Sequence, residues 1–254
     1  MSLPLGHPRS HFRLTNSTND RARALAIAGA PHGTLVSASQ QTVGRGRQGR
    51  RWSAPPGSSL LASLVLRSPP PLLPLIAAVA VCDIAGSDAM IKWPNDIVFV
   101  RPPPEAGEDT EHRVRPPSLA KLAGILAEGR PQDGWAVLGV GLNVAVRLHD
   151  LPPELRAGAA TLGESPDAIE PMLVRLLDAL ERRLGQPTAT VLDSYRARDA
   201  LRGREVSWGT HGPGAQSPVG HGRTAGIDGE GRLVVALAAG GHTTLHAGEV
   251  HLRL

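Results

Sequence analysis

The hydrophobic pattern of the first two hundred residues alternates between helical stretches and short apolar runs. Four stretches have the pattern of a helix, with capping residues, prolines or glycines at their ends. These predicted helices cover residues 16–28, 72–85, 166–184 and 189–200. The short apolar runs suit the central strands of a sheet. The predicted strands cover residues 34–39, 59–67, 97–100, 122–126 and 135–146.

The pattern changes after Gly203, where short strand-like runs alternate with glycine-rich turns. Asp228-Gly229 and Glu230-Gly231 are strong turn signals. The predicted strands here cover residues 204–208, 223–227, 233–237, 243–246 and 250–254. Short strands at this spacing predict a small all-β barrel. We therefore predict two domains, at residues 1–200 and residues 201–254.

A proline-rich segment, residues 102–117, interrupts the larger predicted domain. It contains five prolines and several charged residues, and it has no hydrophobic period. Such a segment packs poorly into a core. We interpret it as a mobile surface loop.

The composition excludes some classes of protein. Hydrophobic residues make up 41% and charged residues 20%, which is typical of a folded chain and not of a disordered one. The net charge of +4 is weak evidence for a polyanionic partner, because the arginines are scattered. The single cysteine, Cys82, excludes an intramolecular disulfide and lies in an apolar run, which indicates a buried structural thiol.

No targeting segment is evident in the sequence. Residues 1–13 lack the apolar region of a signal peptide. The longest apolar stretch, residues 72–81, is too short to cross a bilayer. We therefore expect a cytoplasmic protein.

Residues 44–52, Gly-Arg-Gly-Arg-Gln-Gly-Arg-Arg-Trp, carry the strongest chemical signal. Arginine pairs bidentately with carboxylate or phosphate, and glycine lets the backbone approach a ligand closely. The segment predicts an anion site, with a solvated basic loop as the alternative. Its G-x-G-x-x-G spacing is not a dinucleotide fingerprint, because residues 53–57 cannot start the required helix. A Walker A loop is also excluded, since no Gly-Lys-Ser/Thr follows.

Three further motifs are ambiguous when taken singly. The asparagine and aspartate of Lys92-Trp93-Pro94-Asn95-Asp96 suit nucleobase recognition and magnesium binding, or an ordinary turn. Lys121 precedes an apolar run and is either an edge lysine or a group that stabilises negative charge on a ligand. Gly139-Val140-Gly141 indicates close approach of a backbone or a ligand to a buried strand.

In combination, these motifs resemble the catalytic core of the biotin–protein ligases. The matching segments are Ser17-Thr18-Asn19, residues 41–52, residues 92–96, residues 121–126 and Gly139-x-Gly141-x-Asn143. The resemblance extends from about residue 17 to residue 146. It implies an α+β fold, with a mixed β-sheet flanked by helices as in the class II synthetases. The C-terminal strands look like the family's small SH3-like β-barrel, with looser motif support.

The resemblance also implies a reaction. In this family, biotin carboxylate attacks the α-phosphate of ATP, and a lysine of a carrier protein then attacks the resulting biotinoyl-5′-adenylate. The implied substrates are ATP and biotin, and the implied metal is Mg²⁺. The implied partner is the biotin carboxyl carrier domain of a biotin-dependent carboxylase such as acetyl-CoA carboxylase. No membrane partner is implied, and a homodimer stays open.

Site residues follow from the resemblance position by position. The implied biotin-binding residues are Ser17, Thr18, Asn19, Gln41, Gly44, Arg45, Arg47, Lys121 and Gly124. The implied ATP- and adenylate-binding residues are Arg45, Arg47, Arg50, Trp52, Asn95, Lys121 and Asn143. Lys121 and Arg47 are the implied catalytic residues. Asp96 is implied either as a magnesium ligand or as the group that activates the incoming amine.

Some expectations limit the resemblance. The chain before Ser17 is too short for a helix-turn-helix domain, so we expect a monofunctional ligase without DNA binding. The proline-rich insertion is longer than expected for the family. Lipoate–protein ligases share the core fold and the reaction type and are the nearest alternative. A nucleic-acid-binding module is a remote one, because the chain has few aromatic residues for stacking on bases.

Overall fold

The computed structural model describes residues 4–102, 118–130, 133–210, 220–246 and 250–253. Fourteen strands lie in these ranges, namely β1 (Arg9–Phe12), β2 (Leu35–Ala38), β3 (Gly44–Arg45), β4 (Arg51–Trp52), β5 (Ser59–Arg67), β6 (Ala89–Lys92), β7 (Asp96–Arg101), β8 (Ser118–Arg130), β9 (Trp135–Asn143), β10 (Glu205–Thr210), β11 (Gly220–Ile227), β12 (Leu233–Ala236), β13 (His242–Leu245) and β14 (Val250–Arg253). The α-helices of the same ranges are α1 (Thr18–Ile27), α2 (Leu73–Ala85), α3 (Pro153–Arg156), α4 (Ile169–Leu184) and α5 (Thr188–Arg196).

A seven-stranded mixed sheet forms the centre of the larger unit, with the order β1-β2-β5-β9-β8-β7-β6. β1 pairs with β2 in parallel, and the remaining pairs are antiparallel. Alternate side chains of a strand point to opposite faces. Accordingly Leu64 belongs to the apolar cluster that includes residues of α2, α4 and α5, whereas Val65 belongs to the cluster that includes Ala22 and Ala26 of α1. The predicted mixed sheet with flanking helices is therefore confirmed.

Local sequence signals explain the best-predicted elements. The Ser17 side chain caps the N-terminus of α1 by accepting a hydrogen bond from the Asp20 backbone, and Gly29 (φ 87°) follows the end of this helix. β5 is apolar on both faces because helices cover both sides of the sheet. Cys82 is buried in α2, and burial raises the pKa of its thiol to about 12. This agrees with a structural thiol.

Several predicted boundaries were wrong. β9 ends at Asn143 instead of residue 146, because the backbone N–H of Ala145 leaves the ladder and bonds to the Ser58 carbonyl. β8 begins at Ser118, so Lys121 lies inside this strand and not before it. Strand β1 was not predicted. Of the proline-rich segment, residues 103–117 lie outside the described residues.

The C-terminal strands form a five-stranded antiparallel sheet with the order β13-β12-β11-β10-β14. The predicted small all-β unit is therefore present. The predicted barrel is not confirmed, because no ladder joins the edge strands β13 and β14 within the ranges given above.

Apolar packing and hydrogen bonds join this second sheet to the larger unit, whose hydrophobic core includes Leu233 and Val235 of β12. The indole N–H of Trp93, in the turn between β6 and β7, donates to the Gly231 carbonyl at 3.0 Å, and both groups are buried. The Arg196 guanidinium reaches the carbonyls of Ile227 and Asp228 at 3.4 Å. The turn that carries Asn95 is thus packed directly against the C-terminal sheet.

Helices long and apolar enough to cross a bilayer do not occur in the part of the chain that the structure describes.

The junction between the two units contains a buried carboxyl group, Asp199. One of its oxygens accepts a hydrogen bond from the Leu201 backbone at 2.8 Å. The other is buried and has no hydrogen-bond partner among the described residues. Burial raises the pKa of this carboxyl above its ordinary value, and backbone hydrogen bonds from Leu201 and Arg202 only partly oppose that shift.

We expect Asp199→Asn to gain stability relative to the wild type as the pH rises from about 4 to about 7. A carboxyl whose pKa is raised in the folded state ionises first in the unfolded state, so the wild type loses stability over this window, whereas asparagine does not titrate. Urea unfolding at several pH values measures the difference. Asp193→Asn, at an exposed position of α5, is the matched control. A difference that is constant with pH, or shared by the control, contradicts the prediction.

Candidate active site

A cavity of about 360 Å³ opens over the middle of strands β8 and β9. Its walls are the start of α1, the segment 45–53, the turn between β6 and β7, and the segment around α3. Of the site residues implied by the resemblance, the cavity is lined by Ser17, Thr18, Asn19, Gln41, Arg45, Arg47, Arg50, Trp52, Asn95, Asp96, Lys121, Gly124 and Asn143. Gly44 is the exception. A cavity of this size suits a small molecule.

One end of the cavity is a network of buried neutral polar groups at the start of α1. The Gln41 amide oxygen accepts hydrogen bonds from the Thr18 backbone at 2.7 Å and from its hydroxyl at 3.0 Å. The Ser63 hydroxyl lies 2.6 Å from the amide oxygen of Asn19 and 2.8 Å from the Thr18 hydroxyl. This end offers donors and acceptors without net charge, which suits a polar but uncharged ring.

Residues 44–52 form a short hairpin, here called the arginine hairpin. β3 and β4 pair as Gly44 with Trp52 and Arg45 with Arg51, and Gln48 (φ 58°) and Gly49 (φ 74°) make the turn. A Cβ on Gly44 would lie 2.5 Å from the Trp52 carbonyl oxygen, so the ladder itself requires glycine there. The segment predicted as a loop is therefore a hairpin, and Gly44 builds it without lining the cavity.

The two hairpin arginines that were predicted as a pair have different surroundings. Arg45 forms ion pairs with Asp20 at 2.6 Å and Glu128 at 3.1 Å, and the hydrogen bond to Asp20 raises its pKa. Arg47 donates to the Asn95 amide oxygen at 3.0 Å, and burial lowers its pKa. Arg47 is thus the more desolvated of the two.

A second cation, Lys121, lines the cavity together with Arg47. Lys121 of β8 forms an ion pair with Asp96 at 2.6 Å, and its side chain is 41% exposed. The Asn95 amide donates to the Ile125 carbonyl at 2.7 Å, which fixes the side chain between β8 and Arg47. The motif residues therefore meet although they are far apart in sequence.

Lys92 was not predicted as a site residue, yet it also lines the cavity. Burial lowers the pKa of its ammonium, and the neighbouring charges of Lys121 and Arg50 lower it further, against Asp96. Lys92 and Lys121 are the only lysines in the sequence. Lys92 is the first residue of the Lys-Trp-Pro-Asn-Asp motif, and this position is the sequence signal from which its place in the site could have been predicted.

The cavity carries an excess of positive charge. Six cationic side chains line it together with two carboxylates, namely Arg45, Arg47, Arg50, Arg51, Lys92 and Lys121 with Asp96 and Glu154. Cations in a partly water-excluded cavity attract an anion more strongly than they would on an open surface. The arrangement favours a ligand with phosphate or carboxylate groups.

Trp52 lies across the floor of the cavity. A Cβ on Gly141 would be 2.6 Å from its ring, and one on Gly124 would be 3.1 Å from it. The Lys121 ammonium is 5.8 Å from the centroid of the ring. Its indole N–H is buried and lacks a hydrogen-bond partner among the described residues. A backbone or a ligand was predicted to approach the Gly139-Val140-Gly141 segment, whereas the group that approaches Gly141 is the Trp52 side chain.

Gly139 lies two residues before Gly141 and admits the Asn19 side chain, which a Cβ would overlap. We expect Gly139→Ala to lower the free energy of unfolding by about 1–2 kcal/mol, because overpacking outweighs the backbone benefit of alanine. Urea unfolding measures it. Gly229→Ala is the control, since nothing lies within 4 Å of its added Cβ. An unchanged midpoint for Gly139→Ala is the contrary result.

Asn143 has a supporting position at the other end of the cavity. Its amide oxygen accepts from Ser59 at 3.3 Å, and its amide donates to the Ala160 carbonyl at 2.9 Å. It thereby holds the segment after α3. Glu154 and Leu155 of α3 also line the cavity and were not predicted. The contact of Asn143 with adenine stays a prediction.

Metal binding was predicted at Asp96. No group of three or more His, Cys, Asp or Glu side chains is placed to hold a metal within the described part of the chain. Asp96 is instead paired with Lys121. Magnesium often binds through one or two carboxylates together with substrate phosphates, so a single aspartate suits an ion that arrives with a nucleotide.

Comparison with known proteins gives concordant results. Residues 11–144 match the profile of the Biotin/lipoate A/B protein ligase family. A biotin--[acetyl-CoA-carboxylase] ligase of Mycobacterium tuberculosis is 34% identical over 259 residues, covering 94% of this chain and 87% of that protein. The bifunctional ligase/repressor BirA of Bacillus subtilis is 34% identical over 173 residues, or 63% of this chain. The match spans about half of that relative, 48% of its length.

Solved structures show the same fold. The biotin protein ligase from Aquifex aeolicus in complex with biotin and ATP has a TM-score of 0.74 to this chain, at 22% identity. The superposition covers 97% of this chain and 99% of that one. On the family match and the Mycobacterium tuberculosis relative together, this chain belongs to the biotin/lipoate A/B protein ligase family.

Proposed function

We propose that this chain is an ATP-dependent biotin–protein ligase. The observation that carries the proposal is the cavity itself, in which a neutral polar end lies beside a cluster of cations. Biotin has a polar uncharged ring at one end and a carboxylate at the other, and ATP brings the phosphates. The relatives' names, such as biotin--[acetyl-CoA-carboxylase] ligase, support the same activity.

In the proposed first step, the biotin ring lies at Ser17, Thr18 and Gln41, and its carboxylate points toward Lys121. A carboxylate oxygen attacks the α-phosphorus of ATP. The bond from that phosphorus to the pyrophosphate oxygen breaks, giving biotinoyl-5′-adenylate and pyrophosphate. Lys121 and Arg47 offset the negative charge that the two substrates bring together, and they hold them at reacting distance.

In the proposed second step, a lysine amine of the carrier attacks the acyl carbon of the adenylate. The bond from that carbon to the AMP oxygen breaks, and the amine loses a proton. Asp96 lies in the cavity beside Lys121, and we assign it either to accepting this proton or to binding magnesium. Magnesium would enter as a complex with ATP and would offset phosphate charge.

We further propose that the partner is the biotin carboxyl carrier domain of an acyl-CoA carboxylase, and that the chain divides near residue 200 into a catalytic domain and an SH3-like domain. The change from the mixed sheet to the C-terminal antiparallel sheet supports this division. The Trp93–Gly231 contact supports a C-terminal unit that stabilises the Asn95 turn.

Lipoate is the second candidate substrate, because the matched family also includes lipoate ligases. Lipoate has a carboxylate but lacks the ureido group of biotin. The polar groups at Ser17, Thr18 and Gln41 favour biotin, since a ureido group can form hydrogen bonds with them and an apolar dithiolane ring cannot.

Ligand-dependent transfer tests the proposal. Purified chain with magnesium, ATP and labelled biotin is expected to transfer the label to a biotin carboxyl carrier domain, with release of pyrophosphate. Carrier domain with its acceptor lysine changed to arginine is the negative control. If the chain transfers lipoate to its carrier domain but does not transfer biotin, the substrate is lipoate and the proposed type of reaction stands. No pyrophosphate release with either acid would refute the ligase proposal.

A further inference from the structure

The arginine hairpin is connected to the walls of the cavity by its side chains. Its two strands pair with each other and form a sheet separate from the seven-stranded one. The side-chain connections include the Arg45 ion pairs, the Arg47–Asn95 hydrogen bond and the packing of Trp52. The position of the hairpin over the cavity therefore depends on side-chain contacts and not on pairing with the large sheet.

Arg45 joins the hairpin to two different elements at once. One terminal nitrogen is 2.6 Å from Asp20 on α1, and the other is 3.1 Å from Glu128 on β8. Such a guanidinium, held between two carboxylates by separate nitrogens, has a defined orientation. Both carboxylates are more than half buried, so these pairs are less screened than exposed ones.

Glu128 is itself held in place. One carboxylate oxygen pairs with Arg23 of α1 at 2.7 Å, and the other accepts a hydrogen bond from the Asn19 amide at 3.0 Å. Its orientation therefore does not depend on Arg45 alone. Glu128 does not line the cavity, although Asn19 and Arg45 do.

We propose that Glu128, together with Asp20, is a positioning residue that holds the arginine hairpin across the cavity through Arg45. Neither carboxylate needs to touch a reactant for this. This role also distinguishes Arg45 from Arg47, although the resemblance implies both as ligand-binding residues. Arg45 fastens the base of the hairpin, and Arg47 at its turn is directed to the ligand. The kinetic part of this proposal rests on the proposed function, whereas the structural part does not.

Limited trypsin digestion of the ligand-free protein tests the structural part. The hairpin contains four arginines, so its opening exposes cleavage sites within 45–51. Glu128→Gln keeps the shape and the Asn19 contact but removes the charge. We expect cleavage in the hairpin to be roughly two- to five-fold faster, since loss of a partly exposed ion pair shifts the open population by about that factor.

Three further variants make the result specific. Asp20→Asn removes the second carboxylate and is expected to act in the same direction. Arg23→Gln breaks the other ion pair of Glu128 without touching the hairpin, and Glu205→Gln breaks a remote pair with Arg223. Both are expected to cleave like the wild type. The proposal is overturned if Glu128→Gln and Asp20→Asn leave hairpin cleavage unchanged, or if Arg23→Gln accelerates it equally.

Escape of the adenylate tests the kinetic part. With biotin and ATP, Glu128→Gln is expected to release biotinoyl-adenylate roughly two- to five-fold faster than the wild type, with formation in a single turnover little changed. A wild-type chain that makes no adenylate contradicts the proposed function, but the digestion result still decides the role of Glu128. If Glu128→Gln accelerates hairpin cleavage but does not change the release of biotinoyl-adenylate, only the kinetic part of the proposal is overturned.

Discussion

Replacing Lys121 with alanine is expected to lower the rate of biotinoyl-adenylate formation about a hundred- to a thousand-fold. Lys121 lies inside β8, and its ammonium is 2.6 Å from Asp96 and 5.8 Å from the centre of the Trp52 ring. It therefore projects into the region where the two anionic substrates would meet. Without Lys121, its ammonium group no longer offsets the negative charge of the two substrates. Asp96 also loses its ion-pair partner.

The fold should survive this substitution. The Lys121 side chain is 41% exposed, and pairs of that exposure contribute about 0–1 kcal/mol to stability. Biotin-dependent exchange of pyrophosphate into ATP measures the rate, and thermal unfolding measures the stability. Arg223→Ala is the control, because it removes a cation from an ion pair remote from the cavity. A rate within ten-fold of the wild type would exclude Lys121 from the reaction.

The second large effect is expected for Arg47→Gly, which should release the adenylate about ten- to a hundred-fold faster while forming it at a less altered rate. A hydrogen bond from a charged donor contributes about 1.5–3 kcal/mol, which corresponds to that range. Arg47 is desolvated at the turn of the hairpin and donates to Asn95 on the opposite wall of the cavity. Removal of the Arg47 side chain breaks this connection between the hairpin and the opposite wall of the cavity.

Glycine at position 47 removes the charge and also adds backbone freedom. Arg47→Met separates the two, because methionine keeps the bulk of the side chain without the charge. Equal acceleration in both variants assigns retention to the guanidinium. The measurement is the appearance of free biotinoyl-adenylate in the absence of carrier, after rapid separation from the protein. Wild-type levels of free adenylate with Arg47→Gly would contradict the prediction.

The elements with complete local signals were predictable. α1 has a capping serine at its start and a glycine past its end, and β5 has a run of mostly apolar residues. β1 has neither. Three of its four residues, Arg9, Ser10 and His11, are exposed, so no hydrophobic period marks it. It is a strand because β2 offers it a free edge, which is a property of the assembled sheet and not of the segment.

The site was predictable as a set of residues but not as a set of contacts. The motifs identified Lys121, Asp96 and Arg47 as candidates, and the structure brings them to one cavity. Nothing in the sequence pairs Arg45 with Glu128, because the two lie 83 positions apart and the contact follows from the path of β8. Arg45 and Arg47 look alike in the motif, and only the fold gives them different neighbours.

The two lysines of this chain have a practical consequence for chemical labelling. Both Lys92 and Lys121 lie in the cavity, and the remaining side-chain cations other than histidine are arginines. Reagents that acylate amines therefore have targets there and at the amino terminus. Immobilisation of the chain on a sensor surface by amine coupling would therefore modify the two lysines that line the cavity. Capture through the lone thiol is no remedy, because Cys82 is buried.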